Sequence, residues 1–153
     1  MSEYVSSYTG KKIDELLGMV DQYNSNNKIL WEGAKFMNGD SAVAFDGKVS
    51  EQEHGIVLVF SYFEQNEGDT EPTAQDHSWS CHFVPKVMVE LNNGGAHTFL
   101  MTINATMKTF GAKHLHISDT GITGDDANSQ AAESQCGITF SNNNYVLRYV
   151  IGV

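Results

Sequence analysis

The chain has 153 residues, 41% of them hydrophobic, and a formal net charge of −10. This length suits one domain with a sizeable core, and the acidic charge argues against nucleic acid or an anionic membrane as a partner, because both attract basic patches. No apolar run approaches the roughly 18 residues that span a bilayer, and the polar N-terminal stretch predicts no secretory signal.

Residues 1–27 differ from the rest and predict a short amphipathic helix. Its apolar side chains recur at helical spacing, and they are Ile13, Leu16, Leu17 and Val20. Thr9 can cap the start of this helix, and the polar run 22–27 ends it. A helix of about 12 residues is marginal alone. We therefore expect the apolar stripe to act in attachment or oligomerisation, either against its own copies or against the β-domain or another protein.

From residue 28 the pattern changes to short strands separated by turn formers. The predicted strands are residues 28–37, 42–45, 55–63, 78–91, 97–104, 114–118, 137–140 and 145–153. Strands of this length and spacing predict an all-β fold, a β-sandwich or jelly-roll-like domain at 28–153 behind the short N-terminal α-helix. The acidic residues 64–77 predict a long exposed loop. The almost wholly apolar end of the chain predicts a strand locked into a sheet or an interface.

Two histidines, His114 and His116, have the spacing that places both side chains on one face of a strand. Such a pair can bind a metal ion, but a partly exposed strand with two neutral imidazoles is the interpretation that we favour. The acidic loop 119–128 lacks the spacing of an EF-hand, so its glycines indicate turns rather than a calcium site. We therefore expect no metal and no other cofactor.

Aromatic residues beside the acidic loop predict a ligand-binding site. Trp79 and His77 are two residues apart and would share a strand face, and Tyr62 lies on the other side of the loop. A tryptophan beside carboxylates and imidazoles suits the stacking of a sugar ring, whereas the alternative places Trp79 in the core or a subunit interface. Motifs for a catalytic nucleophile, a phosphate loop or a zinc protease are missing from the sequence, so we expect no enzyme.

Several segments resemble one family of proteins. The start YTGKKIDELLGMV, the strand HGIVLVFSYF, the loop ISDTGITGDDANS and the end GITFSNNNYVLRYVIGV resemble tail, baseplate and fibre proteins of tailed phages and prophages, mainly of Gram-positive hosts. The resemblance implies a trimeric β-sandwich module of the virion, made in the host bacterial cytoplasm, that takes part in appendage assembly or host attachment.

The same resemblance sets the expected partners, which are further copies of the chain, other virion proteins and a host cell-wall glycan. It brings no catalytic residues. A small glycan-active enzyme of a phage tail and a purely structural spacer are the two alternatives.

Overall fold

The computed structural model describes residues 10–25, 28–64, 73–101, 109–129, 131–133, 139–141 and 144–153. In these ranges the fold is all-β, as predicted, with two β-sheets that share one hydrophobic core and a helix that precedes them. No helix in the described part of the chain is long and apolar enough to cross a membrane.

The helices and strands have the following bounds. Helix α1 spans Gly10–Ser25 and helix α2 spans Lys86–Leu91. The strands are β1 Ile29–Lys35, β2 Ala42–Ala44, β3 Gly55–Glu64, β4 Thr73–Ala74, β5 Ser80–Pro85, β6 Gly95–Met101, β7 Thr109–Ser118, β8 Gly121–Thr123, β9 Ala131–Glu133, β10 Thr139–Ser141 and β11 Tyr145–Gly152. Two short 3-10 turns lie at Val49–Glu51 and Asp126–Ser129.

The first sheet contains β1, β11 and β3 in that order, and both β4 and β5 pair with the other edge of β3. All of these pairings are antiparallel. Strand β11 is therefore central, between β1 and β3, and its residues Leu147 and Val150 are fully buried. This placement explains why residues 145–153 are almost wholly apolar.

The second sheet has the order β2, β8, β7, β10 and β9, with β6 along the opposite edge of β7. Strand β10 runs parallel to β7, and the other pairings are antiparallel. Strand β7 is thus the centre of this sheet.

The core lies between the two sheets because alternate residues of their central strands are buried in one cluster. In the first sheet, Ile56, Leu58 and Phe60 of β3 are fully buried, and Leu115 and Ile117 of β7 are their counterparts in the second. Each such side chain contributes about 1.5–3 kcal/mol by leaving water. The period of two along both strands also fixes which residues face away from the core.

One predicted strand is wrong over half its length. Residues 78–91 contain β5 only as far as Pro85, and the apolar stretch that follows forms α2. Proline has no N–H to continue the ladder with β3, and an N–H···O bond from Asn92 to Met88 closes the helix. Of the apolar side chains in α2, only Val89 is buried.

The other differences are the length of β7, which begins at Thr109 rather than at residue 114, and several short pairings. Strand β4 lies in the stretch predicted as a long loop, and β8 lies in the acidic connection 119–128. Strand β9 was not predicted. Residues 65–72, 102–104 and 137–138 of the predicted loop and strands lie outside the described residues.

Helix α1 is longer than predicted, at 16 residues. Its proposed cap, Thr9, lies outside the described residues, and so does the predicted boundary at residue 27. The side chains of Ile13 and Leu16 are each 39% exposed. The side chain of Val20 is not among those described, so its role in the stripe stays a prediction.

Candidate binding surface

The face of the first sheet that points away from the core presents a row of apolar side chains. The register places Val57 beside Ile151 on one side and beside Phe83 on the other, and Ile29 lies opposite Ile151. The residues that alternate with Val57 are fully buried, so this apolar row faces outwards. Phe83 and Ile29 are 53% and 49% exposed. Exposed apolar surface of this kind commonly marks an interaction site.

Beside the apolar row, Trp79 forms a cluster with residues of β11. Its ring centroid lies 6.4 Å from that of Tyr149, and the guanidinium carbon of Arg148 lies 5.3 Å from the centroid of the Trp79 ring. Arg148 Nη1 also donates to Ser61 Oγ and to Asp76 Oδ1, both at 3.1 Å. Trp79 remains 43% exposed. An open aromatic ring beside polar groups can stack on a sugar or an apolar side chain.

Tyr62 and His77, which the sequence predicts beside Trp79, form a pair of their own. Their rings are stacked with centroids 5.4 Å apart, and the Tyr62 N–H donates to the His77 carbonyl oxygen at 3.1 Å. The alternation of a regular strand does not hold between His77 and Trp79, because Ser78 has a φ of 54° and turns the chain there. A joint role of the three residues in ligand binding stays a prediction.

Both helices also expose apolar side chains. These are Ile13, Leu16 and Leu17 on α1 and Val87, Met88 and Leu91 on α2. Helix α2 follows β5 directly, so its exposed side chains begin four residues after Phe83. The role of the α1 residues in oligomerisation stays a prediction.

On the outer face of the second sheet, His114 and His116 lie together, as their alternation along β7 predicts. Their ring centroids are 5.8 Å apart. Asp125, from the segment after β8, completes a group whose three ligand atoms lie within 4.8 Å of one another. His116 Nε2 lies 3.1 Å from Asp125 Oδ2. All three side chains are partly exposed, so solvent and ions can reach them.

Hydrogen bonds favour the charged form of the Asp125 carboxyl. The Ala127 N–H donates to Asp125 Oδ1 at 2.9 Å, and this bond, followed by the contact with His116, holds the pKa of the Asp125 carboxyl below its ordinary value. An ionised carboxylate next to two imidazoles is a chemically ordinary set of metal ligands.

Sequence reasoning missed several residues of these two sites. It treated Asp125 as one carboxylate of a loop, although the loop directly follows the histidine strand and so returns towards it. It gave no role to Arg148, although a single basic residue within an apolar run is itself a signal that its charge is used. Phe83 was placed in a strand without a prediction of which face it occupies.

No protein-family model matches this chain, and no curated protein is significantly similar to it.

Proposed function

We propose that the chain is a non-enzymatic attachment or assembly module of a phage virion appendage, such as a tail, baseplate or fibre protein. The supporting observation is the outer face of the first sheet, where the apolar row and the exposed ring of Trp79 meet. An antiparallel sheet that packs one face on the core ordinarily turns polar side chains to water on the other. An apolar outer face is costly to leave in water, which favours a function in binding.

The two parts of this face suit two kinds of partner. The apolar row suits a second copy of the chain or a neighbouring virion protein, since protein interfaces have apolar and aromatic centres. Trp79, with Arg148 and Asp76 beside it, suits a host cell-wall glycan, because sugar rings stack on aromatic faces while charged groups bind their hydroxyls. The virion setting and the expected homotrimer come from the resemblance in sequence.

Cell binding tests the attachment role. The labelled full-length chain is incubated with a panel of Gram-positive cells and with their purified walls, and bound protein is measured by fluorescence. We expect Trp79→Ala to weaken binding at least about tenfold, or about 1.4 kcal/mol. Leu100→Ala is the matched control, because Leu100 is an apolar residue of the second sheet that is 57% exposed, and its binding should equal that of the wild type.

Light scattering tests the assembly role. We expect the mass of three chains, and Phe83→Ser should lower it, because a hydroxyl replaces an exposed phenyl ring in the apolar row. Circular dichroism checks that each variant is folded. The proposal would be abandoned if the chain were monomeric at micromolar concentration and Trp79→Ala bound cells as well as the wild type does.

A further inference from the structure

The group formed by His114, His116 and Asp125 has the ligand chemistry of a transition-metal site. Two imidazole nitrogens and one carboxylate oxygen are ligands that zinc and its neighbours accept, whereas calcium and magnesium prefer oxygen alone. Three protein ligands also leave coordination positions open for water or another ligand, as in zinc sites that are not purely structural.

The distances fit such an ion with little movement. Bonds of about 2.0–2.1 Å place two ligands of a tetrahedral zinc ion about 3.3 Å apart. His116 Nε2 and Asp125 Oδ2 are already 3.1 Å apart. All three ligand atoms lie within 4.8 Å of one another, so the site closes by rotation of partly exposed side chains, with loss to solvent of the proton through which His116 Nε2 contacts Asp125 Oδ2.

His114 is oriented by a second residue. Thr98 lies opposite His114 in the pairing of β6 with β7, and its Oγ1 lies 2.8 Å from His114 Nδ1. With the hydroxyl accepting from Nδ1–H, Nε2 has the free electron pair that a metal needs. Outer partners of this kind fix the tautomer and the ring orientation of histidine ligands.

Asp125 is held close to β7 by the buried side chain of Asn128. Asn128 is 2% exposed, its Oδ1 accepts from the N–H of His114, and its Nδ2 donates to the His114 carbonyl, both at 2.7 Å. Nδ2 also donates to the carbonyl of Met37 at 2.6 Å, and the N–H of Asp125 donates to the same carbonyl at 3.1 Å. The backbone on both sides of the site is therefore fixed before any ion binds.

Gly124 permits this close approach. A Cβ atom at this position would lie 2.1 Å from the Met37 carbonyl oxygen and 2.2 Å from that of Asn38. A side chain there would not fit unless the segment that carries Asp125 moved relative to Met37 and Asn38.

We propose that His114, His116 and Asp125 bind one divalent transition-metal ion of the zinc type on the outer face of the second sheet. The ion links the centre of β7 to the segment after β8 and keeps open positions towards solvent. This inference does not depend on the proposed attachment function.

Calorimetric titration with zinc chloride tests the site in the untagged, chelator-treated full-length chain. We expect one ion per chain, and His116→Ala and Asp125→Asn should each weaken the affinity at least about tenfold. Zinc should also raise the melting temperature of the wild type but not of His116→Ala, since an ion that binds only the folded state stabilises it. Cobalt should give the visible absorption of a nitrogen- and oxygen-ligated ion.

Two matched variants control for binding elsewhere. Asp126→Asn removes the neighbouring exposed carboxylate, and Cys81→Ser removes the exposed free thiol. Both should bind zinc as the wild type does. The site is refuted if His116→Ala binds zinc unchanged, if Asp126→Asn loses as much affinity as Asp125→Asn, or if the wild type binds more weakly than about 1 mM.

Discussion

Lys113 is a fully buried lysine in the core, and we predict that it makes the protein more stable at about pH 9 than at about pH 7. Its Nζ atom donates to the Phe36 carbonyl oxygen at 2.8 Å and lies 5.7 Å from the centre of the Phe36 ring. Burial lowers the pKa of Lys113 from 10.5 to about 7, because the low-polarity core disfavours the charged amine.

The direction of this pH effect follows from the number of protons that the folded and unfolded chains bind. Between about pH 7 and pH 10.5 the unfolded chain holds a proton on Lys113 that the folded protein releases, so the free energy of unfolding rises with pH across this window. The full difference between the two pKa values corresponds to about 5 kcal/mol. About 2 kcal/mol of this is gained between about pH 7 and pH 9.

Lys113→Met should remove this pH dependence. At about pH 7 the variant avoids a penalty of about 4 kcal/mol but leaves the Phe36 carbonyl without its partner, which costs about 1–3 kcal/mol. We therefore expect a net gain of about 1–3 kcal/mol in the free energy of unfolding at neutral pH. At about pH 9 the penalty that the variant avoids is smaller by about 2 kcal/mol. The lost hydrogen bond therefore offsets most of what remains.

Urea unfolding, followed by tryptophan fluorescence with EDTA and a thiol reductant present, measures both chains at about pH 7, 8 and 9. The range stops there because tyrosines ionise above it, and burial raises the pKa of Tyr145. Lys35→Met, which removes an exposed lysine of β1, is the control and should keep the slope of the wild type. Equal slopes in the wild type and Lys113→Met would refute the reasoning.

Two further predictions concern the ends of the described chain. Removal of residues 149–153 deletes much of a central strand, including buried Val150, so we expect no cooperative melting, and a soluble truncate with unchanged melting would contradict this. The double substitution Leu16→Asp and Val20→Asp should abolish assembly by light scattering, because it places charges on the apolar stripe of α1, yet keep the circular dichroism of the β-domain. Loss of both signals would place α1 in the core.

A strand could be predicted from the sequence wherever the pattern of its own apolar side chains reflects which of its faces are buried. Strand β3 is apolar on both faces because one face lines the core and the other forms part of the apolar row, and β11 is apolar because it is central. The sequence of α2 is equally apolar, so hydrophobicity alone could not separate it from β5. The change from strand to helix at Pro85 depends on which backbone N–H groups have hydrogen-bond partners in the sheet. Those partners are set by the fold and not by the local sequence.

The same distinction applies to the two candidate sites. Neighbours along one strand could be predicted, whereas contacts between distant segments could not. The shared face of His114 and His116 follows from their spacing along one strand. Asp125 joins them only because the chain reverses its direction at β8 and because Asn128 hydrogen-bonds the following segment to β7. The position of Arg148 depends on a register shift between Leu147 and Tyr149. Such a shift shows no local pattern in sequence, so the contact of Arg148 with Trp79 could not be foreseen.

The two proposed sites lie on opposite outer faces of the sandwich, which makes their tests independent. Sheets that pack face to face are about 10 Å apart, and substitutions separated by more than this have additive effects. Trp79→Ala should therefore bind zinc with unchanged affinity, and His116→Ala should bind cells as the wild type does. A loss of cell binding in His116→Ala would mean that the metal site takes part in attachment, and that the apolar row and Trp79 are only part of the binding surface.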